Sequence, residues 1–454
     1  MNEFRTRSSL LSIVEGAASL ISTRQKSPEI ETLLAASSGT AELLGLDRND
    51  VDSALGLLVR AFTEEAALSA FGWLAARWDI EKRLANLRRL REEEMRFPEI
   101  MEEPIAAPII ITGSPRSGTT FLQTLLAEDP ENQVLRCWQA IDPYPHPRRS
   151  GSRDPRPPRV DQQLRFFNLL APDLHKVHPL NGWSPQECTE VTAHIFQSLR
   201  FDSTYHVPSY RKWLDRHGHL PAYRFHKRFL QHLQRQNGRQ RWILKSPDHV
   251  FALGALRSTY PDARIVFMHR DPIKVLPSNA QLIEILRAPF TKKIDRFQIG
   301  RQIMTDLAIG AANMIETSRL GRFPSSQVFH LHYLDLVSRP LDAIQRLYRH
   351  CGFSIKESAR EQMSRKIAAR PNGGYAKNMY SLDRHGIDPD EVEQRFHDYM
   401  GYFDIRREPT DSIAAENRKY KGCCGLDSAF RTSAAPSGPA PQLTVEPLGT
   451  VPIA

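Results

Sequence analysis

Apolar residues fall into two rhythms along this chain. From Pro108 onward, short uninterrupted apolar runs alternate with longer stretches in which apolar positions recur every three or four residues. The short runs fit strands buried on both faces, and the longer rhythm fits helices that cover them. The runs predict strands near 108–112, 241–245, 264–268 and 327–331, and their alternation with helical segments predicts an α/β fold: a central parallel sheet flanked by helices. Residues 1–100 read as a helical N-terminal region. Leu11, Val14 and Ala18 keep helical spacing, as do Leu84, Leu87 and Leu90 within KRLANLRRLREEEMRF, where Glu92, Glu93 and Glu94 mark a solvated face. Between the first two strands, roughly 160–238 reads as a mostly helical insertion. The resulting boundaries are 1–100, an α/β domain over 101–405, and an irregular tail over 406–454. The Pro-, Ala- and Ser-rich end of that tail buries too little apolar area to offset its ordering entropy, so disorder is expected.

Composition adds two constraints. The 454 residues carry a formal net charge of +9, which suits a partner bearing several negative charges. The five cysteines (Cys137, Cys188, Cys351, Cys423, Cys424) lack C-x-x-C spacing, which argues against a disulfide framework or a zinc site and for a reducing compartment. Glu15 interrupts the one leader-like stretch, and no apolar run approaches the roughly 20 residues that span a bilayer. A soluble, cytoplasmic protein is expected.

The chemistry concentrates in 108–126, PIIITGSPRSGTTFLQTLL, where an apolar strand enters a glycine-bounded loop that opens an amphipathic helix. Such a turn aims backbone N–H groups and a helix N-terminus at an anion, and Gly113 and Gly118 permit close backbone approach. Thr119 stands where the ordinary GxxxxGK[ST] loop has its lysine. That replacement disfavours magnesium-dependent nucleotide hydrolysis and favours metal-free transfer of an anionic group.

GSPRSGTT after a strand resembles the 5′-phosphosulfate loop of sulfotransferases that use 3′-phosphoadenosine 5′-phosphosulfate (PAPS), especially the bacterial branch reading G-x-P-R-[ST]-G-T-T. A second segment, 241–278, is similar to the family's paired block: a strand ending in Lys-Ser-Pro, a helix, then a strand ending in Arg-Asp-Pro with a serine eight residues after the arginine. The resemblance covers roughly 105–405 and implies a P-loop-like sheet. It also implies transfer of a sulfuryl group from PAPS to a hydroxyl of a small molecule, lipid or glycan, with no metal and no nucleic-acid partner. Gly113, Pro115, Arg116, Ser117, Gly118, Thr119 and Thr120 would cradle the 5′-phosphosulfate, and Arg270 with Ser278 would hold the 3′-phosphate. The forked guanidinium of Arg116 can take two oxygens at once.

Lys245 matches the lysine that stabilises the leaving bridging oxygen in the family. Two residues compete for the acceptor base. Glu187 matches the family's Pro-Glu-Glu-Cys segment, with Gln186 replacing its first carboxylate, although a carboxylate there also suits a helix N-terminus. His249, four residues past Lys245, is the other, as an imidazole titrating near neutrality. Gln139 and Asn378 depart from the Glu and His common in relatives, and Tyr333, Asp335, Leu336 and Pro340 match an element expected to be structural. A small-molecule kinase and a non-catalytic adenosine-nucleotide binder remain as other readings.

Overall fold

The computed structural model describes residues 48–144, 154–170, 172–173, 179–238, 240–369 and 381–408, all within one compact unit that ends at Glu408. The expectations for 1–47, for Asn378 and for the tail from 409 onward lie outside the described residues.

Among the described residues, five parallel strands form one sheet in the order β2-β3-β1-β4-β5, with β1 at Ile109–Gly113, β2 at Asn132–Val134, β3 at Arg241–Lys245, β4 at Arg264–His269 and β5 at Val328–His332. Alternate side chains of a strand point to opposite faces. Here that alternation feeds two separate cores. Ile110, Leu244, Ile265 and Phe267 join the larger core. Ile109, Ile111, Ile243, Val266 and Met268 join a second one, together with Leu122, Leu125, Ile344 and Leu347 from the helices on that face. Both faces are therefore dry, which is why these strands read as unbroken apolar runs.

Seven of the described helices frame the sheet and its site: α1 (Arg48–Glu64), α2 (Ala70–Arg96), α3 (Thr119–Leu126), α4 (Leu220–Asn237), α5 (Pro272–Arg287), α6 (Arg296–Arg319) and α7 (Pro389–Tyr402). None of the described helices is long and apolar enough to cross a membrane. Ser69 caps α2 by accepting from the Gly72 N–H at 3.1 Å. Close packing follows at once, because a Cβ on Gly72 would lie 2.0 Å from the Phe290 carbonyl oxygen.

The polar face of α2 differs from the solvated surface its composition suggests. Arg83 is buried and pairs with Asp79 and Glu190, each at 3.0 Å, while Glu94 is buried between Arg228 and His232 of α4. Burying charge is tolerated here because each one meets an opposite charge. Burial alone would raise the Glu94 pKa, but the hydrogen bonds from His232 and Arg228 bring it down to about 2.

Strand pairing aligns the carboxyl ends that matter. Gly113 pairs with Met268, and Ile111 pairs with Lys245. The loop after β1, the end of β3 and the end of β4 thus share one edge of the sheet, where ligands of open parallel sheets sit.

Candidate functional site

β1 ends in a backbone that only glycine accommodates. Gly113 has φ = 127°, and a Cβ there would stand 2.3 Å from the Met268 carbonyl oxygen on β4. Arg116 (φ = 61°) and Gly118 (φ = 89°) are also left-handed, so the chain coils tightly before Gly118 caps α3. Successive N–H groups in such a coil form an anion-binding concavity, reinforced by the positive end of the helix behind it. Ser117 is fully buried, and its hydroxyl donates to the Ser114 carbonyl at 2.5 Å, which fixes the turn.

The second predicted clamp meets the first directly. Arg116 Nε donates to Ser278 Oγ on α5 at 3.0 Å, and Arg270 Nη1 donates to the Arg116 carbonyl at 2.6 Å. Residues 162 and 154 positions apart in sequence therefore line one junction. Arg270 also lies over the Tyr333 ring, 3.8 Å from its centroid, and its Nε and Nη2 donate to both carboxylate oxygens of Glu408 at 2.7 and 2.9 Å.

Lys245 closes the other side. Its ammonium is 1% exposed and donates to Glu187 Oε1 at 2.6 Å and to Thr120 Oγ1 at 3.3 Å. One cation thereby joins the helix start after the loop to the segment that carries Glu187. That segment is anchored by the Cys188 N–H, which donates to the Lys245 carbonyl at 2.9 Å.

His249 has a different setting. It is buried, its Nδ1 engages the Tyr223 hydroxyl, and His226 packs edge-on against it. Burial above all, then the charges of His226 and Lys245, holds the imidazole well below its usual titration range. Gln139 is buried too, and its Oε1 accepts from the Arg136 N–H at 2.9 Å, closing a capping box.

Three residues at the site are not marked as such by the sequence. Tyr333 belongs to an element expected to be structural, yet its ring supports Arg270. Glu408 falls in the stretch expected to be irregular, and no local pattern marks it. Asp248, half-buried three residues past Lys245, has its pKa pushed up to about 7, first by burial and then by the charge of Glu187.

Residues 108–357 match the profile of the Sulfotransferase family, more than half of the chain. The chain belongs to the sulfotransferase family. This sulfotransferase is 24% identical over 283 residues to the omega-hydroxy-beta-dihydromenaquinone-9 sulfotransferase Stf3 of Mycobacterium tuberculosis, a match covering 61% of this chain and 70% of that protein. Among solved structures it resembles sulfotransferase STF1 of M. tuberculosis, with 30% identity and a TM-score of 0.68 over 80% of this chain and 97% of that one. Sulfotransferase STF9 of Mycobacterium avium gives 25% identity and a TM-score of 0.71 over 82% and 97%.

Proposed function

We propose that this sulfotransferase moves the sulfuryl group of PAPS, in line and without a metal, to the hydroxyl of an apolar small-molecule or lipid acceptor. The observation that carries the reading is the junction of Arg116, Ser278 and Arg270, which brings two guanidinium groups and a hydroxyl to one edge of the sheet. A nucleotide with phosphate at both its 5′ and 3′ ends asks for that arrangement. The donor set fits it: a glycine-bounded N–H cradle at residues 113–118, hydroxyls at Thr119 and Thr120, and two guanidinium groups, while the Ser117 hydroxyl, spent on the Ser114 carbonyl, braces the turn.

PAPS would supply the activated sulfuryl group; the chain's residues supply position and charge. Loose in-line transfers of this kind gain most from both. Residues 113–120 hold the 5′ end, with the Thr120 hydroxyl already on the Lys245 ammonium. Lys245, held in a dry site, offsets negative charge growing on the leaving oxygen. Glu187, 2.6 Å from that ammonium and more exposed than it, takes the hydroxyl proton. Asp248 favours a second assignment of that base, because a carboxyl titrating near 7 is matched to proton transfer at neutral pH. We assign His249 to the supporting core, since its Nδ1 is committed to Tyr223.

Two features support an apolar acceptor. Trp183, 57% exposed on the turn that leads to Glu187, meets Trp138 edge-on at 6.0 Å. The Stf3 relative is named for a menaquinone-derived hydroxy lipid. The buried free thiols Cys137, Cys188 and Cys351 suit a reducing compartment such as the cytoplasm. Incubation with ³⁵S-labelled PAPS and a panel of long-chain and quinone-derived alcohols, in EDTA, should give labelled sulfate esters. Loss of all transfer in EDTA, restored by magnesium, would refute the metal-free reading.

A further inference from the structure

The Arg270 guanidinium already holds an anion of the chain's own making. Both Glu408 carboxylate oxygens lie on its Nε and Nη2 edge, at 2.7 and 2.9 Å, the bidentate geometry that a phosphate would use. The remaining nitrogen, Nη1, serves the Arg116 carbonyl, and Tyr333 covers one face. Glu408 is not a stray surface group. Its side chain is 7% exposed, and its N–H donates to Asp271 Oδ2 at 3.0 Å. The two preceding arginines also pin the segment. Arg407 reaches Glu393 at 3.0 Å and Asp271 at 3.6 Å, and Arg406 reaches Asp335 at 2.7 Å.

We propose that Glu408 is an internal exchange ligand for the 3′-phosphate: its carboxylate occupies Arg270 in the free protein, yields that edge when nucleotide binds, and reclaims it when the desulfated nucleotide leaves. This rests on the reading of Arg270 as the 3′-phosphate residue. The two anions compete for the same donors. A carboxylate and a phosphate on the same fork repel each other, so only one can hold the Nε and Nη2 edge. Until the nucleotide arrives, Glu408 neutralises a guanidinium that would otherwise sit desolvated against Tyr333 and the loop. The exchange lowers apparent affinity by the fraction of time Arg270 is already occupied. It also speeds product escape, a step that limits turnover in many enzymes. The two arginines beside Glu408 stay anchored to Asp271, Glu393 and Asp335, so the movement needs a side-chain swing rather than release of the segment.

The test is calorimetric titration of the full chain with adenosine 3′,5′-bisphosphate and with adenosine 5′-monophosphate, which lacks the 3′ group. Glu408→Gln should tighten bisphosphate binding about tenfold, as expected if Arg270 is occupied roughly nine-tenths of the time, and leave monophosphate binding unchanged. Glu408→Ala should give the same gain, and Arg270→Ala should erase it. Unchanged or weaker bisphosphate binding in both Glu408 variants, with Arg270→Ala still weakening it, would overturn the exchange and leave the nucleotide reading intact. Equal binding of the two nucleotides by the unaltered protein, with no effect of Arg270→Ala, would overturn the reading beneath it as well.

Discussion

Lys245 is nearly inaccessible yet touches both sides of the crevice, through Thr120 and through Glu187. Removing its charge should therefore harm the step in which charge develops more than it harms nucleotide capture. Lys245→Met is expected to lower kcat by on the order of a hundred- to a thousandfold. Affinity for adenosine 3′,5′-bisphosphate should change by less than about tenfold, as read by steady-state kinetics and calorimetry. The pH profile then separates the two carboxylates. If Asp248 is the base, kcat rises as pH passes through about 7 and Asp248→Asn flattens that rise; if Glu187 is, Asp248→Asn leaves the profile unchanged and Glu187→Gln lowers kcat instead. At this scale the glycines are legible in the sequence, because a turn with positive φ and a carbonyl 2.3 Å from an added Cβ admits nothing else at Gly113. Arg116 is legible through its chemistry, although its own φ of 61° follows no sequence rule. Glu408 is not, since its partner lies 138 residues away and local spacing carries no trace of such a contact.

Four of the five strands announce themselves, and β2 does not. Asn132, Gln133 and Val134 form no apolar run, and their strand exists because they pair with Arg241, Trp242 and Ile243 at the sheet's edge. The same limit applies to α2: its mixed charges look solvated until α4 supplies Arg228 and His232 as partners for Glu94. That pairing predicts acid sensitivity. The Glu94 carboxyl sits at about 2 in the folded chain against an ordinary 4.5, so its stabilisation is complete above about pH 5 and fades as pH falls toward 2. The contribution is on the order of 3 kcal/mol. In urea titrations across that range, Glu94→Gln should be less stable than the unaltered protein near neutrality, and the gap should close as acid is added. A gap that stays constant would show that packing, not charge, makes the difference. Gly72 against Phe290 and Gly300 against His385 complete this level, each allowing a helix to approach a backbone carbonyl where a Cβ would stand 2.0 Å from the oxygen.

Across the whole molecule, the crevice draws on residues from Gly113 to Glu408, a large part of the described chain. Sheet order does the gathering: β1 lies between β3 and β4, so three segments distant in sequence end side by side. This much follows from the alternation of strands and helices and from the two motifs. Which side chains of the helical insertion meet the acceptor does not, because insertion packing obeys no short repeat. A site assembled from so many segments exists in the folded chain alone, so its ligand stabilises folding. Adenosine 3′,5′-bisphosphate at a hundred times its Kd should add about 2.7 kcal/mol and raise Tm by several degrees in EDTA, measured by thermal unfolding. A flat Tm at saturation would contradict the nucleotide assignment.

The hydrogen bond from Arg116 to Ser278 also ties the two proposed grips to each other, like the set jaws of a caliper. If those grips hold the two ends of a nucleotide as proposed, they would sort nucleotides by the distance between their charged ends before any base or sugar is recognised. An isomer phosphorylated at the 2′ position carries the same charge as the 3′ compound, yet it presents that charge at the wrong separation.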